Sequence, residues 1–261
     1  MEPPESGPPA APLALSMVLL RGDQAPSAAA VKASFERLFP ELTVEESRAD
    51  SNALFAFTGE DGVDWTFSHM PAPVPEADVR GALPLSPGLS DEAPVLAHAT
   101  HLIVVSHGGE LSALERRSHL SVGVAAAADA SDAVAVFWSE GSVLHDVEAF
   151  VEEVRSQAIP VPLWFGLSVA RPTEEDIELL TVGLRWLGHP DLLVSADLAN
   201  ADAAFGFVYD CVCYAIEEDH VLEAGESIGL GDEHALEIES IDSPIEPGVE
   251  VLKIRFEPPP S

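Results

Sequence analysis

The first half of the chain alternates between strand-like and helix-like hydrophobic patterns. The stretch "LALSMVLL" has the apolar content of a strand, and Ser27 then stands where a helix N-cap is expected. The apolar residues that follow have the spacing i, i+4, i+7 and i+8 of one helical face: Val31, Phe35, Leu38 and Phe39. Pro40 ends this pattern. Three strand-like segments come next, "LTVEES", "ALFAFTG" and "VDWTFSHM", so this part predicts a strand, a helix and then further strands.

The second half repeats this alternation after a connection rich in proline and glycine, in which a short helix is predicted near residues 76–81. "HLIVVS" and "AVAVFW" are predicted strands on either side of a helix, and Asp146 is expected to cap a further helix, "VEAFVEEVRSQ". "ANADAAFGFVYDCVCYAIEED" is the last predicted helix. The remaining apolar segments predict strands: "PLWFGLSVAR", "IELLTVGLRWL", "LLVSA", "HALEIESI" and "GVEVLKIRF".

These elements predict an α+β fold with mixed or antiparallel sheets and helices on one face. The repeated strand and helix units suggest a duplicated ferredoxin-like arrangement. We expect one domain over residues 13–256, or two units over 13–85 and 96–256. The proline-rich residues 1–12 and the tail 257–261 are expected to be disordered.

The charge balance narrows the possible partners. Twelve basic residues stand against 45 acidic ones, which gives a net charge of −33. A field of this sign repels phosphates, so binding to nucleic acid or to anionic membranes is not expected. The acidity fits a solvated acidic surface, an acidic face for a basic protein partner, or a salt-adapted surface. Edge strands leave a homodimer open.

Sequence features also bear on location and cofactors. No secretory signal and no membrane span is predicted, and Cys211 and Cys213 are expected to be reduced thiols, so a cytoplasmic location follows. No cofactor is expected.

The segment "LAHATHLIVVSHGGEL" contains three histidines, which raises the question of a metal site. His101 and His107 would share one side of a strand but lie about 20 Å apart along it, with His98 pointing away or lying in the preceding loop. No metal site is therefore predicted.

Two glycine-rich motifs resemble parts of hydrolases. "HGG" could form an oxyanion loop or a phosphate-binding turn, and "GESIG" matches the G-x-S-x-G pattern around a nucleophilic serine. The pattern after "GESIG" is a turn followed by a strand rather than the helix that a nucleophile elbow requires. Tight turns are the favoured interpretation of both motifs.

Tryptophan and arginine side chains that could anchor a protein partner are the best binding candidates. Trp138 ends a predicted strand, and burial in the core is its alternative interpretation. The complete set of candidate binding residues is Trp138, Arg185, Trp186, His189, His69 and His107.

The order of "SHMPAPVPEADV", "LAHATHLIVVS" and "AVAVFW", together with "TVGLRWLGHPDLLV" and "VYDCVCYAIEEDHVLEAGESIG", resembles a bacterial family of uncharacterised proteins, domain of unknown function 4261. The resemblance extends over residues 13–256. It carries no catalytic residue, and it implies at most an accessory or immunity-type role.

Two functions remain open at this point. The first is a non-catalytic, cytoplasmic protein-binding or regulatory module, because no coherent catalytic group emerges from the motifs. The alternative is an enzyme whose site is assembled from dispersed His, Arg and acidic residues, with His69, His101, His107 and Arg185 as candidates.

Overall fold

The structure, a computed structural model, describes residues 14–51, 53–229 and 235–258. Its strands are β1 (Leu15–Leu20), β2 (Val44–Ser51), β3 (Leu54–Gly59), β4 (Val63–Met70), β5 (Thr100–Gly108), β6 (Ala133–Trp138), β7 (Val143–His145), β8 (Gly166–Ala170), β9 (Asp176–Val182), β10 (Leu192–Asp197), β11 (Ser227–Gly229), β12 (Ala235–Asp242) and β13 (Glu250–Arg255). Its α-helices are α1 (Ala28–Leu38), α2 (Glu76–Ala82), α3 (Glu92–Leu96), α4 (Ala113–Asp129), α5 (Val147–Ser156) and α6 (Ala201–Glu217).

The first sheet has seven antiparallel strands in the order β2-β3-β4-β5-β1-β6-β7. Helices α1, α4 and α5 pack on one face, where Phe35 of α1 contacts the rings of Phe57, Trp65 and Phe67. Because side chains alternate along β1, Val18 faces this helical layer and Leu19 faces the opposite side. On that opposite side, α2 and α3 cover part of the sheet.

The second sheet has six strands in the order β11-β12-β13-β10-β9-β8. Strands β10 and β13 are parallel, and the other neighbours are antiparallel. Helix α6 packs against β9 and β10 through a largely apolar face that includes Phe207, Val208 and Val212.

Three glycines bring the two sheets into close contact. A Cβ on Gly141 would lie 2.7 Å from the Cα atom of Phe165, and one on Gly166 would lie 2.6 Å from the Gly141 carbonyl oxygen. A Cβ on Gly183 would lie 2.7 Å from the Cα atom of Gly141. Only residues without a side chain allow the backbones to approach so closely.

The structure confirms an α+β fold with mostly antiparallel sheets. The ferredoxin-like duplication stays a prediction. The division into units 13–85 and 96–256 needs correction, because β5, β6 and β7 are hydrogen-bonded into the same sheet as β1 to β4. The sheets separate between His145 and Gly166 instead.

Two local predictions differ from the structure. The predicted strand "IELLTVGLRWL" ends at Val182, because Gly183 adopts a φ of 110° and turns the chain. Asp146 is the N-cap residue of α5, but its carboxylate accepts hydrogen bonds from the Ser90 N–H instead of from the helix. By contrast Ser27 caps α1 as predicted and accepts from the Ala30 N–H at 3.2 Å.

Residues 1–12, and residues 259–261 of the predicted disordered tail, lie outside the described residues. Within the described ranges, none of the helices has the length and apolar character that crossing a bilayer requires.

Candidate functional site

The tight turn between β9 and β10, residues 183–188, is the centre of the candidate site, and we call it the Trp186 turn. It is a short 3₁₀ helix over Leu184–Leu187, flanked by Gly183 and Gly188 with φ values of 110° and 85°. The carboxylate of Asp191 accepts a hydrogen bond from the Leu184 N–H at 3.0 Å. Burial raises the pKa of Asp191. This turn therefore has a defined backbone.

The buried ion pair of Arg117 and Glu140 holds the backbone of the Trp186 turn in place. The Arg117 and Glu140 side chains are 3% and 11% exposed, and Arg117 Nε donates to Glu140 Oε2 at 2.7 Å. Arg117 Nη2 donates to Glu140 Oε1 at 3.1 Å and to the Trp186 carbonyl oxygen. Arg117 Nη1 donates to the Ala113 carbonyl oxygen at 3.0 Å. One guanidinium thus connects α4, the segment after β6 and the Trp186 turn.

Two side chains of this turn reach the surface. Trp186 is 43% exposed, which is high for so large an apolar side chain. Arg185 Nη1 donates to Glu246 Oε2 at 2.7 Å, and Ile245 beside that glutamate is 53% exposed. An aromatic ring and a guanidinium on a fixed backbone are typical anchors for a protein partner.

A groove of about 280 Å³ adjoins the Trp186 turn, and we call it the turn groove. Its apolar lining includes Leu114, Leu187 and Ile216, and its acidic lining consists of Glu217 and Asp219. The groove therefore combines apolar contact area with negative charge.

His189 also lines the turn groove. Burial is the main cause that lowers its pKa, and Asp219 acts in the opposite direction. Its Nδ1 atom is buried and has no hydrogen-bond partner among the described residues. The structure thus brings Arg185, Trp186 and His189 together in one region.

Trp138 lies elsewhere and is fully buried, which corrects its assignment as a binding residue. Its ring packs between Phe150 of α5 and Trp164, with centroid distances of 6.4 and 6.3 Å. The core interpretation applies, because β6 lies between β1 and β7 in the sheet and the helical layer covers this face.

The candidate catalytic residues His69, His101, His107 and Arg185 are not brought together in one pocket. His69 is opposite Leu102 in the sheet register, whereas His101 is opposite Met70, so the two side chains point to different faces. His107 lies at the other end of β5, and Arg185 lies beyond β9.

His98, just before β5, and His101, near its start, hold the loop between β4 and α2 in place. The Val74 N–H donates to His98 Nε2 at 2.8 Å, and His98 Nδ1 donates to the Val95 carbonyl oxygen at 2.6 Å. His101 Nδ1 donates to the Ala72 carbonyl oxygen at 2.9 Å. Burial is the main cause that lowers the pKa of His101, so it fits this role in its neutral form.

His107 takes part in a polar cluster that the sequence analysis missed. Its Nε2 atom lies 2.9 Å from Thr66 Oγ1, its Nδ1 atom lies 3.7 Å from Asp64 Oδ2, and Thr58 donates to Asp64. Asp64, Thr66 and His107 resemble the acid, nucleophile and base of acyl-transfer enzymes only by residue type. Thr66 lies in β4 between β3 and β5, where backbone N–H groups belong to the sheet ladders and are not free to stabilise an oxyanion.

The other sequence motifs have structural roles. Gly108 and Gly109 have φ values of 74° and 60°, as a tight turn requires, and the exposed Ser227 lies in β11, paired with β12. Burial raises the pKa of Cys211 to about 12 and that of Cys213 to about 11, so neither thiol is activated. The described residues hold no group of three or more His, Cys, Asp or Glu side chains placed to bind a metal ion.

The groove walls and the ion pair beneath the turn were not found from sequence. Arg117 and Glu140 are 23 residues apart, and Arg117 and Trp186 are 69 apart. The available signal was the pair Arg116 and Arg117 on α4, because adjacent side chains of a helix point in different directions and one that is buried must find an acid.

Comparison with known proteins gives one match. Residues 180–255 match the family described as Domain of unknown function (DUF4261), and this range contains the Trp186 turn, β10, α6 and the last three strands. No curated protein and no solved structure matches the chain. The match confirms the predicted resemblance to the DUF4261 family over this part of the sequence.

Proposed function

We propose that the protein is a non-catalytic, cytoplasmic binding or regulatory module that engages another protein through the Trp186 turn and the turn groove. The observation that carries the proposal is the half-exposed Trp186 on a backbone held by the buried Arg117–Glu140 pair. Because the turn is ordered before binding, little conformational entropy is lost when a partner covers the ring.

The chemistry of the partner follows from the lining of the groove. Leu187 and Ile216 offer apolar contacts, whereas Glu217 and Asp219 add negative charge. Arg185 is already paired with Glu246, so its charge is partly compensated. The surface therefore fits a partner with an apolar side chain flanked by lysines or arginines, and the net charge of −33 accelerates its approach.

The dispersed positions of the candidate catalytic residues support a binding role over an enzymatic one. His69, His107 and Arg185 lie on different elements, and the contacts of His107 are within the sheet. The accessory or immunity-type role stays a prediction.

A capture experiment tests the proposal. The full chain, Trp186→Ala and the matched control Tyr214→Ala are immobilised and exposed to extract from the source cells at low and high salt. Tyr214 is a suitable control because it is also an exposed aromatic residue, 56% exposed, on α6. We expect a partner that the wild type and Tyr214→Ala capture equally and that Trp186→Ala loses, since an anchor tryptophan contributes at least about 2 kcal/mol.

Salt dependence separates the two parts of the proposal. Capture that weakens as salt rises supports a basic partner, because screening reduces the attraction of Glu217 and Asp219. A partner that all three baits retain equally would show that binding does not use the Trp186 turn. The absence of any partner at either salt concentration would contradict the binding role itself.

A further inference from the structure

A second concavity lies where the two sheets meet, and we call it the junction cleft. It has a volume of about 220 Å³. His145 and Glu153 line it from β7 and α5, and Phe165, Leu167 and Tyr209 line it from the segment before β8, β8 itself and α6. Because pockets for drug-sized ligands have roughly 300–1,000 Å³, this cleft fits a smaller ligand or a single side chain.

Glu153 is the charged group of the junction cleft. It is half-buried, and its carboxylate makes no ion pair and no side-chain hydrogen bond with another described residue. The described lining contains no lysine and no arginine. No cationic side chain of the described lining balances this carboxylate, so a cation in the cleft could pair with it.

His145 adds a hydrogen-bond acceptor. Its Nε2–H donates to the Leu163 carbonyl oxygen at 3.0 Å, which leaves the lone pair on Nδ1 without a partner among the described residues. Burial lowers the pKa of His145 to about 4, so the ring is neutral at pH 7 and does not repel a cation. The cleft therefore offers acceptors and needs a ligand with several N–H donors.

Aromatic rings complete the lining. The rings of Phe165 and Tyr209 lie 5.4 Å apart at an angle of 46°. The faces of such rings attract cations, and ammonium groups are the ligands that exploit this attraction. Leu163 and Leu167 supply apolar contacts for a short carbon chain.

We propose that the junction cleft binds the ammonium group of a small organic amine, with Glu153 as its counter-ion, His145 as a hydrogen-bond acceptor and Tyr209 as an aromatic contact. The ligand would touch elements of both sheets and so tie them together. This site is separate from the Trp186 turn, and the proposal does not depend on the proposed function.

Calorimetric titration of the full chain with n-butylammonium chloride tests the proposal. Parallel titrations use 1-butanol, which has the same carbon chain without the charge, and butyrate, which has the opposite charge. The buffer contains about 150 mM NaCl so that diffuse attraction to the acidic surface is screened. We expect saturable binding of one n-butylammonium, binding of 1-butanol at least about tenfold weaker, and no binding of butyrate.

Variants locate the site. Glu153→Gln should weaken n-butylammonium at least about tenfold, whereas Glu148→Gln, an exposed acid on the same helix, should bind as the wild type does. Glu153→Gln removes an unpaired, half-buried charge, so its urea midpoint should equal or exceed that of the wild type. A weaker affinity with unchanged stability then reports loss of the ligand contact and not loss of the fold.

The source of the amine is decided by a further titration with the blocked lysine Nα-acetyl-lysine amide. Tighter binding of this compound identifies a lysine side chain of another protein, and tighter binding of n-butylammonium identifies a free amine. Equal affinity of wild type and Glu153→Gln, or equal affinity for n-butylammonium and 1-butanol, would overturn the proposal.

Discussion

Replacing Arg117 by methionine should destabilise the protein more than any surface substitution. Arg117 is 3% exposed, and its removal leaves Glu140, 11% exposed, as a buried carboxylate without its cation. The Trp186 and Ala113 carbonyl oxygens also lose a donor. Breaking a buried ion pair in this way costs about 3–5 kcal/mol, which corresponds to a fall in Tm of about 6–20 °C for a chain of this size.

Urea unfolding followed by circular dichroism measures this loss, and a double-mutant cycle assigns it to the pair. Glu140→Met alone leaves the arginine uncompensated and should also destabilise. The double variant Arg117→Met with Glu140→Met removes both charges and should recover most of the loss, because two apolar side chains of similar length can replace a buried pair. A loss below about 1 kcal/mol for Arg117→Met, or a double variant less stable than both single variants, would refute the reasoning.

Three further outcomes follow from single residues. Gly183→Ala should reduce the free energy of unfolding, measured with urea, by several kcal/mol, on the order of the strain at a left-handed φ plus a backbone clash, since its Cβ would lie 2.7 Å from the Cα atom of Gly141. The control Gly188→Ala also has a positive φ, but its Cβ would have no atom within 4 Å, so it should cost only about 1 kcal/mol. His145 has a folded pKa of about 4. The unfolded chain therefore binds the proton more readily as the pH falls from about 6.5 to about 4, so the wild type should lose stability relative to His145→Gln across that interval. Parallel plots of unfolding free energy against pH for the two proteins would contradict this prediction. Ser112→Ala removes the capping box of α4 and should cost about 1 kcal/mol in the same assay, with a loss below about 0.3 kcal/mol counting against the capping role.

Local features of the fold were predictable from sequence. Helix α1 was predicted because Ser27 and the spacing of its apolar residues act within a few positions along the chain. The order of the strands in the sheet was not predicted, because β1 pairs with strands that are distant in sequence. Leu20 of β1, for example, is paired with Thr100 of β5 and with Ala133 of β6. Hydrophobic pattern determines which segments are strands but carries little information about which distant strands become neighbours.

The candidate site was predictable only in part. Residue type alone singled out Trp186 and Trp138 equally, yet the first is 43% exposed and the second fully buried. The difference arises from tertiary structure: a turn between two glycines displays Trp186, whereas α5 covers Trp138. Contacts that cross between elements, such as those of Arg117, become visible only once the elements are placed.

The position of β1 between β5 and β6 has a consequence for biosynthesis. As the polypeptide leaves the ribosome, β1 appears long before its two neighbours, which span Thr100–Gly108 and Ala133–Trp138. Until those residues are translated, the apolar "LSMVLL" of β1 has neither of its neighbouring strands, and its backbone and side chains stay exposed to other molecules. Completion of the first sheet is thus a late, non-local event, and nascent chains halted before β6 would be aggregation-prone.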